Sequence, residues 1–218
     1  MKGESQVVQL RNTFLEFSIG LVDVSSLEEY LQSVSSQSAG ASSRVINSDS
    51  IKVGEVDGST WVRVPGKGSF MSSPRLKEYV DKCLAAGSKE VIIDLEECPA
   101  MDSTFMGTLA GFAGRLLEQE GRLFIVGLSE RNRDSLFDLG LDAIMEMEEE
   151  DGTSEWSENL GTIRSSLRNW DSAATGAAAA EEVLEAHRKL CEVDDRNCAK
   201  FDAVMEVLGK ECGDPAKQ

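Results

Sequence analysis

Between residues 49 and 148 the apolar positions switch repeatedly between strand and helix patterns. Ile51, Val53 and Val56 stand before Asp57-Gly58, and Trp61, Val62 and Val64 stand after it, which predicts a β-hairpin with a tight turn. Ser72-Ser73-Pro74 offers a helix start, with Leu76, Tyr79, Val80, Cys83 and Leu84 at helical spacing and Gly87 as the stop. Val91-Ile92-Ile93-Asp94-Leu95 is a short, largely apolar run of the kind found in strands covered on both faces. Phe105 to Leu117 reads as a helix with Phe105, Leu109, Phe112 and Leu116 on one stripe, and Leu123 to Val126 as a second buried strand. Ser129 caps a helix carrying Leu136 and Phe137 and ended by Gly140; Ala143-Ile144-Met145 predicts a last edge strand. Such alternation calls for an α/β fold, a mixed sheet of about five strands packed with helices.

The two ends follow other patterns. Val183, Leu184, His187 and Leu190 share one helical face, Asp194-Asp195 interrupts, and Phe201, Val204, Met205 and Leu208 form a second stripe. This predicts a helical hairpin over 177–212 whose single apolar side must be buried on the main domain or on a partner. At under about 40 residues it is too short to fold alone and is expected to act as an interaction element. Val7 to Leu31 has amphipathic helical character, and Ser33 to Ser43, rich in Ser, Ala and Gly, reads as a flexible linker. The expected organisation is an N-terminal helical segment with linker over 1–48, an α/β domain over 49–148, an acidic linker over 149–172 and a C-terminal hairpin over 173–218.

Composition narrows the function. With 41% hydrophobic and 28% charged residues the chain has a globular balance. Lys and Arg number 22 against 39 Asp and Glu, and the net charge of −17 repels nucleic acid and anionic membrane alike. No run approaches the roughly 18 apolar residues of a spanning helix, so membrane insertion is not expected. Met1-Lys2-Gly3-Glu4-Ser5 opens no apolar leader, and five scattered cysteines fit the reduced thiols of a cytoplasmic protein. His187, Cys191 and Cys198 lack a fourth ligand of matching spacing, so neither metal nor other cofactor is expected. Gly66-Lys67-Gly68-Ser69 lacks the spacing of a phosphate loop. The single histidine lies in the tail, leaving Ser/His or Cys/His catalysis without a base near the main domain; an enzyme is not expected.

The most informative stretch runs from Val91 to Met145. A strand ending in Asp94-Leu95 leads through Cys98-Pro99-Ala100-Met101 to Asp102-Ser103-Thr104-Phe105-Met106-Gly107 at a helix start. Gly121-Arg122-Leu123 opens the next strand, and Leu136-Phe137-Asp138-Leu139-Gly140-Leu141 follows. This resembles the STAS domain of bacterial anti-sigma factor antagonists, with its Asp-Ser-[Ser/Thr]-Gly-apolar-Gly helix start, Gly-Gly-x-Leu strand and Leu-x-x-x-Gly-Leu segment. Two places depart from that pattern: Phe105 stands for the first Gly, and Gly66-Lys67-Gly68-Ser69-Phe70 replaces a Gly-Glu-apolar-Asp loop.

The resemblance implies that Ser103 is phosphorylated by a serine kinase that is itself the anti-sigma factor. It places the partner surface on Asp102, Thr104, Phe105, Met106 and Gly107. The implied role is partner switching: binding the kinase, and thereby freeing a sigma factor, while Ser103 is unmodified. The alternative is a non-switching STAS scaffold in a larger signalling or membrane-associated complex. A second copy of the chain, joined through the C-terminal hairpin, is a further candidate partner.

The physics of a helix start is compatible with a phosphate on Ser103. Free N–H groups and the macrodipole favour negative charge there, so the modification is expected to act at the partner surface rather than by melting the helix. Ser103 as an N-cap is the plainer reading, and Asp102 either orients that hydroxyl, meets a partner's Mg²⁺ or is itself a cap. Gly107, Gly111 and Gly114 share one helix face at about 1 kcal/mol of lost propensity each, which points to close backbone approach, by the sheet in the first place or by a partner.

Overall fold

Asp57 and Gly58 take φ of 53° and 85°, the positive pair that lets β1 (Lys52–Val56) fold back on β2 (Ser59–Arg63) with Val53 opposite Val62. The computed structural model describes residues 50–174 and 176–212, so the expected N-terminal helix and Ser-rich linker lie outside the described residues. After β2 come α1 (Ser73–Ala85), β3 (Glu90–Asp94), α2 (Ser103–Glu118), β4 (Arg122–Val126) and α3 (Glu130–Asp138). Then follow β5 (Glu146–Met147), α4 (Leu160–Ser166), β6 (Arg168–Asn169), α5 (Ala180–Val193) and α6 (Asp195–Glu211). Pro74 sits in the first turn of α1, and Gly87, at φ 92°, turns the chain beyond its end.

The described residues form a six-stranded sheet in the order β5-β4-β3-β2-β1-β6, one strand more than expected. β2, β3, β4 and β5 run parallel, and β1 lies antiparallel to both β2 and β6. Central β3 is buried from Val91 to Asp94, as its apolar run requires. The last edge strand falls later than expected: Gly140 at φ 70° starts a 3-10 turn over Leu141–Ala143, and pairing begins only at Glu146 opposite Phe124.

Residues 149–172, expected to be an acidic linker, instead cover one face of the sheet. Trp61, Ile92 and Phe124 lie side by side on that face, and Trp156, Leu160, Ile163 and Leu167 pack over them. Trp156 meets Trp61 and Phe124 edge-to-face at 5.3 and 4.9 Å. A buried ionic network clamps the same layer. Asp94, fully buried, receives Arg63 at 2.8 Å and Arg164 through Nε and Nη2 at 2.8 and 3.0 Å, while Arg63 also reaches Glu96 and Glu97. The Arg63 hydrogen bond holds the Glu97 carboxyl below its usual range. Alternate strand residues Val62, Ile93 and Ile125 point to the opposite face, where α2 lies against β4.

Candidate functional site

The site is the junction from β3 into α2. The loop before α1 zips onto it: Gly68 N–H donates to the Ala100 carbonyl and Asp102 N–H to the Gly68 carbonyl. Asp102 is the N-cap, with extended backbone and a carboxylate that accepts from Phe105 N–H at 2.9 Å and Phe70 N–H at 3.0 Å. Burial pushes its carboxyl above the usual range, against the pull of those two N–H groups. Of the two candidate caps it is Asp102, not Ser103, that caps α2.

Ser103 is the first residue of α2, and its hydroxyl leaves the helix altogether. It lies 2.9 Å from Nε2 of His187 on α5, a residue 84 positions away. The other ring nitrogen, Nδ1, lies 2.7 Å from the Val183 carbonyl, which can only accept, so Nδ1 carries the proton and Ser103 donates to Nε2. Burial lowers the His187 pKa and keeps the ring neutral. The expectation of no base near the motif is therefore overturned. A serine hydroxyl on a neutral imidazole is the first contact of nucleophilic catalysis. Here Ser103 and His187 are only 3% and 2% exposed, so the pair serves as a contact between two helices.

The residues expected to form the partner surface are all buried: Asp102, Thr104, Phe105, Met106 and Gly107. Phe105 turns its ring inward onto Gly68, where a Cβ would come within 2.8 Å of it. The two departures from the STAS pattern are thus one steric pair, a large ring accommodated by a glycine in the facing loop. Gly107 lies under α5: a Cβ there would meet the Ala186 carbonyl oxygen at 2.2 Å. The close approach expected of this glycine is made by the tail helix rather than the sheet, while Gly114 has nothing within 4 Å.

Within the tail hairpin α5 packs against α2, and α6 packs against α5. His187 stacks edge-to-face on Phe201 of α6 at 4.9 Å. Asn197 donates to the carbonyls of Leu139 and Leu190, and Lys200 to that of Asp138, tying the hairpin's turn to the end of α3. Beside the α2–α5 contact a groove of about 320 Å³ opens, lined by Pro74, Lys77, Thr104, Thr108, Glu182 and Lys189 among others. Among the described residues no cluster of three or more His, Cys, Asp or Glu is placed to hold a metal ion. Sequence reasoning missed His187 and Ala186 as site residues. A histidine inside an apolar helix face was the visible signal, but nothing in the spacing said which serine it would meet.

A family model described as STAS domain matches residues 50–153. The anti-sigma-B factor antagonist of Staphylococcus aureus (strain NCTC 8325 / PS 47) is 30% identical over 70 residues, 32% of this chain and 65% of the relative's length. The anti-sigma-B factor antagonist of Staphylococcus epidermidis is 33% identical over 89 residues, covering 40% of this chain and 82% of the relative. Among solved structures, the unphosphorylated form of the anti-sigma factor antagonist SpoIIAA aligns at 17% identity over 52% of this chain and 97% of its own, with a TM-score of 0.41. The phosphorylated form of SpoIIAA from Bacillus aligns at 19% identity over 52% and 99%, with a TM-score of 0.40. The chain belongs to the STAS-domain family of anti-sigma factor antagonists. Among the described residues no helix is long and apolar enough to cross a membrane.

Proposed function

We propose that the chain acts in the cytoplasm as an anti-sigma factor antagonist in a partner-switching pathway. It binds an anti-sigma factor with serine kinase activity at the N-terminal end of α2, and Ser103 is the residue phosphorylated. One observation carries this reading: Asp102 does the capping, so the Ser103 hydroxyl is not needed to start its helix. In the transfer, Oγ bonds to the terminal phosphorus of the kinase's nucleoside triphosphate, the bond to the neighbouring phosphate oxygen breaks, and a base of the kinase takes the hydroxyl proton. The burial of Ser103 favours a second reading, a STAS scaffold that does not switch.

Expression beside the serine kinases of the source cell, followed by intact mass, separates the two. The switch adds about 80 Da to the parent and nothing to Ser103→Ala, whereas an unshifted parent leaves the scaffold.

A further inference from the structure

In the structure the face of α2 that would receive a kinase already holds a helix. His187 takes the Ser103 hydroxyl, and the backbone of Ala186 lies so close over Gly107 that no Cβ fits between them. A phosphoryl group brings about −1.5 to −2 charges and three oxygens that need donors. The 2.9 Å gap between Oγ and Nε2 has no room for it, and the imidazole there presents a lone pair rather than an N–H.

The covering helix can leave without disturbing the sheet. Its hairpin follows the last strand of the sheet, so undocking breaks no strand pairing. Val183, Leu184 and Leu190 are buried on α5, and Asn197 and Lys200 tie the hairpin's turn to the end of α3, so the closed form is held. At Ser103 itself the contact runs through small and polar residues, Ser103, Gly107, Ala186 and His187, with the groove opening beside it.

We propose that the α5–α6 hairpin is an autoinhibitory cover over Ser103, and that its docking and the modification of Ser103 exclude one another. Unmodified and closed, the chain withholds Ser103 and the start of α2 from its kinase. Opening exposes both, and a phosphate or an equivalent charge on Ser103 prevents reclosure. The inference rests on the reading of Ser103 as the modified residue.

Hydrogen exchange of the full chain, resolved by peptide, tests it without any partner. In Ser103→Asp the α5 peptides should exchange on the order of tenfold faster than in Ser103→Ala, with β3 and β4 unchanged. Gly107→Ala, which opens the same contact by bulk rather than charge, should give the same pattern. Equal α5 protection in Ser103→Asp and Ser103→Ala overturns the proposal, and so does loss of protection in α5 together with β3 and β4. Because no kinase is involved, either of those results removes the cover and leaves phosphorylation itself to the mass measurement.

Discussion

Asp102 and Ser103 are neighbours with opposite duties. Removing the Asp102 carboxylate orphans two N–H groups, Phe105 in the helix and Phe70 in the facing loop, so Asp102→Ala should cost about 1–3 kcal/mol. Ser103→Ala loses one hydrogen bond to His187 and should cost about 0.5–1.5 kcal/mol; urea denaturation of both variants checks the ranking. That a helix starts here was legible from Asp102-Ser103-Thr104. Which residue caps it was not, because both types cap equally well and the choice is made by Phe70, 32 residues upstream. His187 supplies a pH dependence. Its pKa is lowered by burial, and it faces uncharged groups, the Ser103 hydroxyl from α2 and the Phe201 ring from α6. The undocked imidazole titrates near 6.5 and takes up its proton first, so hairpin docking is intact above about pH 6.5 and weakens as pH falls below it. Asp102, with a raised pKa, acts in the opposite sense and in the lower, carboxylate range. Protection factors of α5 amides, corrected for the base-catalysed intrinsic rate, should be lower at about pH 5.5 than at about pH 7.5 in the parent and should level out in His187→Gln, since the chain has one histidine.

At the scale of elements, α2 carries glycines with different consequences. Gly107→Ala gains about 1 kcal/mol of helix propensity and loses more, because its methyl would overlap the Ala186 carbonyl. Gly114→Ala gains the propensity with open space around it, so it should stabilise the protein by about 0.4–1 kcal/mol. Thermal melts of the two variants should therefore move in opposite directions. The helices and buried strands were legible because each repeats its period over several residues. The short strands β5 and β6, two residues each, are too brief to show any period. The segment 149–172 was hidden differently: Trp156, Leu160, Ile163 and Leu167 have helical spacing, but the acidic run Glu148-Glu149-Glu150-Asp151 before them reads as solvent-exposed chain.

At the scale of the molecule, the family match ends at residue 153 while one whole covering layer of the sheet comes after it. Trp61, Ile92, Phe124 and Val126 owe their burial to that layer. At about 1.5–3 kcal/mol for each large apolar side chain returned to water, uncovering the four of them approaches the entire ~5–15 kcal/mol stability of a domain. The Arg63–Asp94 pair would also lose Arg164, which engages the fully buried Asp94 through two hydrogen bonds. A chain ended after residue 153 should therefore lose its cooperative melt. One ended after Ser172 keeps α4, β6 and both covered rows of the sheet, and should still unfold in a single transition at a lower temperature. Near-ultraviolet circular dichroism through the melt distinguishes them, since Trp61 and Trp156 report the packing directly. A folded, cooperative 1–153 chain would show that the STAS match alone is sufficient and that the layer over Trp61 is an accessory. An unfolded 1–172 chain would make the hairpin part of the core and remove its freedom to leave Ser103.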